Sequence, residues 1–392
     1  MINEKMFNLG CEPSVIRELF MWGLERKKVV GEDKVFDFSI GNPSVPAPDK
    51  VRGSIAKHLQ DDPVSLHAYS TAAGIQEVRE VVARYILKTF GFKASAKNIF
   101  LTAGASGALS ASFSAICNAG DEVIVPAPYF PEYATWISTA GAKLIPVGCD
   151  EETFQLDLRK IEEAITEKTS AIVINSPNNP TGAVYSRESL EKLAELLSAK
   201  ENEFGTKIYL ICDEPYREIT YGAEVPWIPE IYARTIVCYS FSKTLSLPGE
   251  RIGWAYVSDT MEEASKVVTA IAGAARALGH ICAPVLFQHV MADCIEVSSN
   301  VSAYAENREI LTKMLDELGF EYVNPQGAFY LWMKAKENSA RAFSDKAREL
   351  DLLLVPSESF GAQGWVRVSY CVSKETIQNA RPAFEKLKDL YK

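Results

Sequence analysis

Apolar and polar positions along the chain change period several times, and the changes divide it into elements. Ile99 to Thr102, Asp121 to Val125, Ala171 to Asn175, Lys207 to Cys212 and Thr235 to Ser240 are short runs rich in β-branched and apolar residues. Runs of that length without polar alternation predict strands covered on both faces, as in a mostly parallel sheet. Between them apolar residues recur at three- and four-residue spacing. This predicts helices from about Ala108 to Asn118 and over Glu132 to Thr139, Leu158 to Ile165 and Ser186 to Ser198. From about Pro284 the pattern differs: a long helical stretch reaches Leu318, short strand-like pieces follow (Gly327 to Met333, Leu352 to Pro356, Trp365 to Tyr370), and a helix ends the chain. The expectation is an α/β protein. A large domain over 46–283 carries a mostly parallel mixed sheet sandwiched by helices, and a smaller α+β domain is built from both chain ends, 1–45 and 284–392.

Composition narrows the function. A net charge of −10 over 392 residues argues against nucleic acid, which needs a concentrated basic face. No stretch approaches the roughly 20 apolar residues that cross a bilayer, and the first ten residues lack the apolar core of a signal peptide. The expected setting is cytoplasmic, with no membrane partner. The eight cysteines include no CxxC pair and read as reduced core thiols, and the four histidines show no metal spacing.

In parallel α/β sheets ligands bind beyond the carboxyl ends of the strands, so the residues following each expected strand carry the chemistry. After Thr102 come Ala103-Gly104-Ala105-Ser106-Gly107, small residues opening a helix, where backbone N–H groups attract an anion. After Asn175 comes the irregular Ser176-Pro177-Asn178-Asn179-Pro180-Thr181-Gly182. After Cys212 comes Asp213-Glu214-Pro215-Tyr216, and after Tyr239 come Ser240-Phe241-Ser242-Lys243 with Arg251 eight positions on. Hydroxyls and a guanidinium at one strand end suit a phosphate. Each signal alone also fits an ordinary turn; their recurrence at successive strand ends does not.

With these pieces in their order, the chain resembles the fold type I pyridoxal-phosphate aminotransferases of class I/II, the group that contains aspartate aminotransferase. The resemblance rests on Ala103–Leu109, Pro126–Tyr129, Asn179-Pro180-Thr181-Gly182, Asp213–Tyr216, Ser240–Lys243, Arg251-Ile252-Gly253 and Arg367, and covers nearly the whole chain. It implies transamination between an L-amino acid and a 2-oxo acid, with pyridoxal 5′-phosphate held by Lys243 as a Schiff base. By the same resemblance Asp213 pairs with the pyridine nitrogen, Tyr216 and Asn179 donate to the ring's phenolic oxygen, and Tyr129 stacks on the ring. Ala105, Ser106, Ser240, Ser242 and Arg251 form the phosphate cup. Arg367 and Gly41 hold the substrate carboxylate, and Tyr69 reaches the phosphate of a partner subunit, which implies a homodimer with shared sites.

The substrate side chain is not assigned, and aspartate, alanine and an aromatic amino acid all stay open. Arg276 is a candidate second cation by position only. Phe329 and Tyr330 either line the pocket or belong to the core. A pyridoxal-phosphate carbon–sulfur β-lyase shares Lys243, Asp213, Arg251 and Arg367, and is the alternative.

Overall fold

The apolar runs of the middle of the chain pair into one seven-stranded sheet. The computed structural model describes residues 2–11 and 14–392; Met1, Glu12 and Pro13, which fall in the expected small domain, lie outside the described residues. Numbered in chain order after a two-residue strand β1 (Phe36–Asp37), the sheet contains β2 (Ile99–Thr102), β3 (Glu122–Ala127), β4 (Lys143–Gly148), β5 (Thr169–Asn175), β6 (Tyr209–Asp213), β7 (Thr235–Ser240) and β8 (Gly253–Val257). Their spatial order is β2-β8-β7-β6-β5-β3-β4. Six strands run one way, and β8 alone is antiparallel to both its neighbours.

Strand side chains alternate between the two faces. Along β5, Ile172 and Ile174 join the cluster containing Leu190, Leu193 and Leu197 of the helix Arg187–Phe204. Ala171 and Val173 join the opposite cluster with Ala108, Leu109 and Phe113 of the helix Gly104–Ile116. Both faces are therefore dry, which is why these strands read as unbroken apolar runs. Two strands of the sheet are not among the expected ones: the edge strand β4 is half-exposed and holds Lys143 and Pro146, whereas β8 is apolar and buried throughout.

A second core lies outside the large sheet. The antiparallel strands β9 (Tyr322–Val323), β10 (Tyr330–Lys334), β12 (Val355–Pro356) and β13 (Trp365–Ser369) pair in the order β12-β13-β10-β9, and β11 (Leu352–Leu353) pairs with β1. Phe38 packs into this core beside Leu311, Phe329, Val368 and Phe384, so an early segment joins the late one. The long helical pattern is two helices, Val285–Cys294 and Val301–Leu318, separated by residues 295–300. The first of them packs Val290, Met291 and Cys294 on the large-sheet cluster. We therefore propose a domain boundary near residue 295, one helix later than the sequence suggests.

Candidate active site

One edge of the large sheet collects the chemistry, and its topology explains why. The carboxyl ends of β2, β3, β5, β6 and β7 share that edge. Because β8 runs the other way, its entry end arrives there too: Gly253 pairs with Thr102 on one side and Ser240 on the other. Arg251, two residues earlier, thus sits between the two small-residue turns. Its Nη2 donates to Ser106 Oγ (3.0 Å) and the Ala103 carbonyl (3.3 Å), its Nη1 to Ser242 Oγ (3.3 Å) and the Pro248 carbonyl (2.8 Å). Ser240 and Ser242 hydroxyls lie 2.7 Å apart. Gly104 has φ +75°, and a Cβ there would sit 2.7 Å from Arg251 Nη2, so only glycine suits this turn. The helix that begins at Gly104 points its unpaired first-turn N–H groups, including those of Ala105 and Ser106, toward the same place.

These groups line a cavity of about 300 Å³ whose wall also includes Asn179, Asp213, Tyr216, Lys243, Tyr330 and Arg367. Lys243 lies in the short helix Phe241–Thr244 and donates to the Gly41 carbonyl at 2.5 Å. Desolvation by its surroundings, helped by Arg367 and Arg251, lowers its amine to about 8. Asp213 closes β6 and is 5% exposed. Its Oδ2 accepts from the Tyr133 hydroxyl at 2.6 Å, while Oδ1 is buried without a partner among the described residues. Burial pushes this carboxyl up to about 7 against the pull of the Tyr133 hydrogen bond.

Arg367, on β13, reaches the cavity from the second core. It is 2% exposed, donates from Nη1 to Asn179 Oδ1 (2.9 Å) and from Nη2 to the Ser39 carbonyl, and lies between the rings of Tyr330 and Phe360, 4.5 and 5.1 Å from their centroids. Among the described residues no carboxylate pairs with it. Gly41 is held to glycine by Tyr330: a Cβ would fall 1.9 Å from its hydroxyl, which lies 3.0 Å from that of Tyr216.

The family model for aminotransferase class I and II matches residues 33–384. The chain belongs to the class I and II aminotransferases. An aspartate aminotransferase from Thermotoga maritima is 32% identical over 363 residues, covering 91% of each protein. An aromatic-amino-acid aminotransferase from Thermococcus litoralis is 30% identical, covering 96% of this chain and 95% of the relative. The crystal structure of an amino transferase from Eubacterium rectale superposes with a TM-score of 0.97 at 46% identity, covering 100% of this chain and 99% of that one. Members of the family use pyridoxal 5′-phosphate, and this enzyme is a pyridoxal-phosphate-dependent transaminase of amino acids and 2-oxo acids.

Within the aminotransferase, eleven of the residues expected from sequence meet at the cavity: Gly41, Ala105, Ser106, Asn179, Asp213, Tyr216, Ser240, Ser242, Lys243, Arg251 and Arg367. Two do not. Tyr129 turns its ring against Gly361 and its backbone N–H onto the Phe360 carbonyl, so the neighbouring Phe130 lines the cavity instead. Tyr69 is 85% exposed and away from this chain's cavity. Arg276 is exposed near the end of the helix Ala264–Ala277 and is not part of the lining. Both undecided aromatics belong to the second core, and Tyr330 also lines the cavity. Leu109 and Asn175, within stretches the sequence marks, also line it, as do Ile16 and Trp136, which no local pattern marks.

Proposed function

We propose that this cavity holds pyridoxal 5′-phosphate on Lys243 and transaminates amino acids with uncharged side chains, alanine or an aromatic donor, in preference to aspartate. The observation that carries the cofactor assignment is the pairing of a desolvated amine with an unpartnered buried carboxylate oxygen across one cavity, Lys243 Nζ and Asp213 Oδ1. Bound pyridoxal phosphate supplies an aldehyde carbon that takes up the amino group and a ring that withdraws electrons from the bond being broken.

The chain's own residues supply the rest. Asp213 Oδ1 accepts from a protonated ring nitrogen and holds that proton in place. Tyr216 and the Asn179 amide NH₂, whose oxygen is already taken by Arg367, donate to the ring oxygen. Phe130 takes the stacking position expected of Tyr129. Arg251, Ser106, Ser240, Ser242 and the first N–H groups of the helix Gly104–Ile116 bind phosphate. Arg367 grips the donor's α-carboxylate and thereby fixes which bond at Cα is presented. Lys243 Nζ, near neutral in proton affinity, takes the Cα proton and returns it.

Support for the substrate preference comes from charge. Asp213, Lys243, Arg251 and Arg367 are the charged residues of the lining, and each already has a task. A second substrate carboxylate would be buried without a counter-charge, which is costly, while Ile16, Leu109, Phe130 and Trp136 suit an apolar group. We assign the exposed Tyr69 to the phosphate of a second copy, giving a homodimer with two shared sites, and we place the enzyme in the cytoplasm; no helix among the described residues is long and apolar enough to cross a membrane. The test is a half-reaction screen of the twenty amino acids, following conversion of aldehyde cofactor to its amine form. Alanine or aromatic donors should react fastest; fastest reaction with aspartate or glutamate would refute the preference.

A further inference from the structure

Tyr133 belongs to none of the sequence motifs and does not line the cavity, yet it makes the one hydrogen bond that the Asp213 side chain has among the described residues. The helix Glu132–Thr139 starts just after Phe130, so the segment that supplies the cavity's aromatic wall also returns a phenol behind it. Tyr133 is 1% exposed, and its hydroxyl reaches Asp213 Oδ2 at 2.6 Å. The two carboxylate oxygens are therefore unequal: one is tied by the phenol and the other is left without a partner in a residue that lines the cavity.

We propose that Tyr133 is a positioning residue whose hydroxyl fixes the rotation of the Asp213 carboxylate and keeps it ionised, so that Oδ1 is presented to the protonated ring nitrogen of the cofactor. This rests on the assignment of Asp213 made above. The surroundings give the phenol that task. Burial and the neighbouring Glu214 both favour protonated Asp213, and the Tyr133 hydrogen bond opposes them. Glu214 is itself engaged by Arg217 in two hydrogen bonds of 2.5 and 2.7 Å. Cys212 and, on the paired strand, Cys238 are buried thiols pushed well up, and Tyr216 and Tyr185 are phenols pushed up likewise, so all four stay neutral at neutral pH. On the cavity side stand Lys243, lowered to about 8, and the always-charged Arg367. Asp213 and Lys243 are thus the groups of this set that change charge in the neutral range.

The test measures dissociation of pyridoxamine 5′-phosphate, which does not condense with lysine, from the cofactor-free Lys243→Ala protein, so that Asp213 is the titrating group left. Comparing Tyr133→Phe with Tyr133 in that background cancels the ligand's own titration. A hydrogen bond to a charged group of ordinary strength predicts about tenfold weaker binding near pH 6.5, closing to within about twofold near pH 9. Adding Tyr133→Phe to Asp213→Asn should change affinity less than about twofold at any pH, because the phenol acts through the carboxylate. An affinity ratio that is constant across pH, or no change at all, overturns the inference while Asp213→Asn still weakens binding. If Asp213→Asn itself leaves binding unchanged, the assignment of Asp213 fails and the inference with it.

Discussion

Replacing Arg367 by lysine keeps the charge and removes the fork, which separates recognition of a carboxylate from mere attraction to it. In the protein the guanidinium is braced by Asn179 Oδ1 and the Ser39 carbonyl and flanked by Tyr330 and Phe360. Burial lowers its pKa, the mark of a cation held in a poor medium with no countercharge of its own. An incoming α-carboxylate supplies that countercharge, so the pair forms only in the complex. A lysine gives one direction of donation where arginine gives two, and leaves the bracing acceptors short of a donor. Losing one of two parallel hydrogen bonds to a charged group costs about 1.5–3 kcal/mol, which is a fall in kcat/KM of about 10- to 150-fold. The assay is a single-turnover comparison of phenylalanine with phenethylamine, which lacks the carboxylate, together with cofactor affinity and a melting temperature. The amino acid should lose by that factor, while the amine and the cofactor change by less than about threefold. Equal losses for amino acid and amine would mean a collapsed cavity, and a loss under about threefold for phenylalanine would place the clamp elsewhere.

Lys243→Ala should abolish transamination and leave no borohydride-stable cofactor adduct at position 243, read by peptide mass; an adduct elsewhere with activity retained would refute the assignment. In the unsubstituted protein stripped of cofactor, an amine lowered to about 8 is mostly protonated below that pH and mostly free above it. Reductive trapping of pyridoxal phosphate should therefore rise about tenfold from about pH 7 to about pH 9 and level off there, whereas a solvated lysine would still be climbing. Gly41→Ala should push Tyr330 aside, since the new methyl would meet its hydroxyl at 1.9 Å; the expected cost is about 1–3 kcal/mol in thermal or denaturant unfolding with a loss of activity. Tyr330→Phe in the same chain should restore part of the stability, and additive effects of the two changes would show that they do not touch.

The parts of the site legible in the sequence share a property: their chemistry is announced by immediate neighbours at a strand end. Asp213 and Tyr216, or Ser240, Ser242 and Lys243, lie within four residues of each other, so finding the strand finds the group. The strands in turn are legible because burial on both faces leaves an unbroken apolar run; the half-exposed edge strand β4 lacks it, whereas β8 has such a run and is missed all the same. Long-range contacts carry no such local mark. Whether Tyr129 or Phe130 faces the cavity is decided by a backbone hydrogen bond from Tyr129 to Phe360, in the second core. The Tyr133 hydroxyl matters only because the helix Glu132–Thr139 packs with that face toward β6.

The pair Phe329 and Tyr330 shows how far the local argument reaches. Consecutive residues entering a strand point to opposite sides, so two adjacent aromatics there imply one in the core and one facing outward. Which is which depends on register, set where Tyr330 pairs with Ser369 and Trp332 with Arg367. That register brings the Tyr330 hydroxyl against Tyr216 and Gly41 and leaves Phe329 packed on Tyr304. It also puts the Tyr330 ring beneath the Arg367 guanidinium. A slip of one residue would exchange the two rings and put Phe329, which has no hydroxyl, where Tyr330 meets Tyr216. The pairing of β10 with β13 is therefore as much a part of the carboxylate site as the arginine, although no motif of the sequence records it.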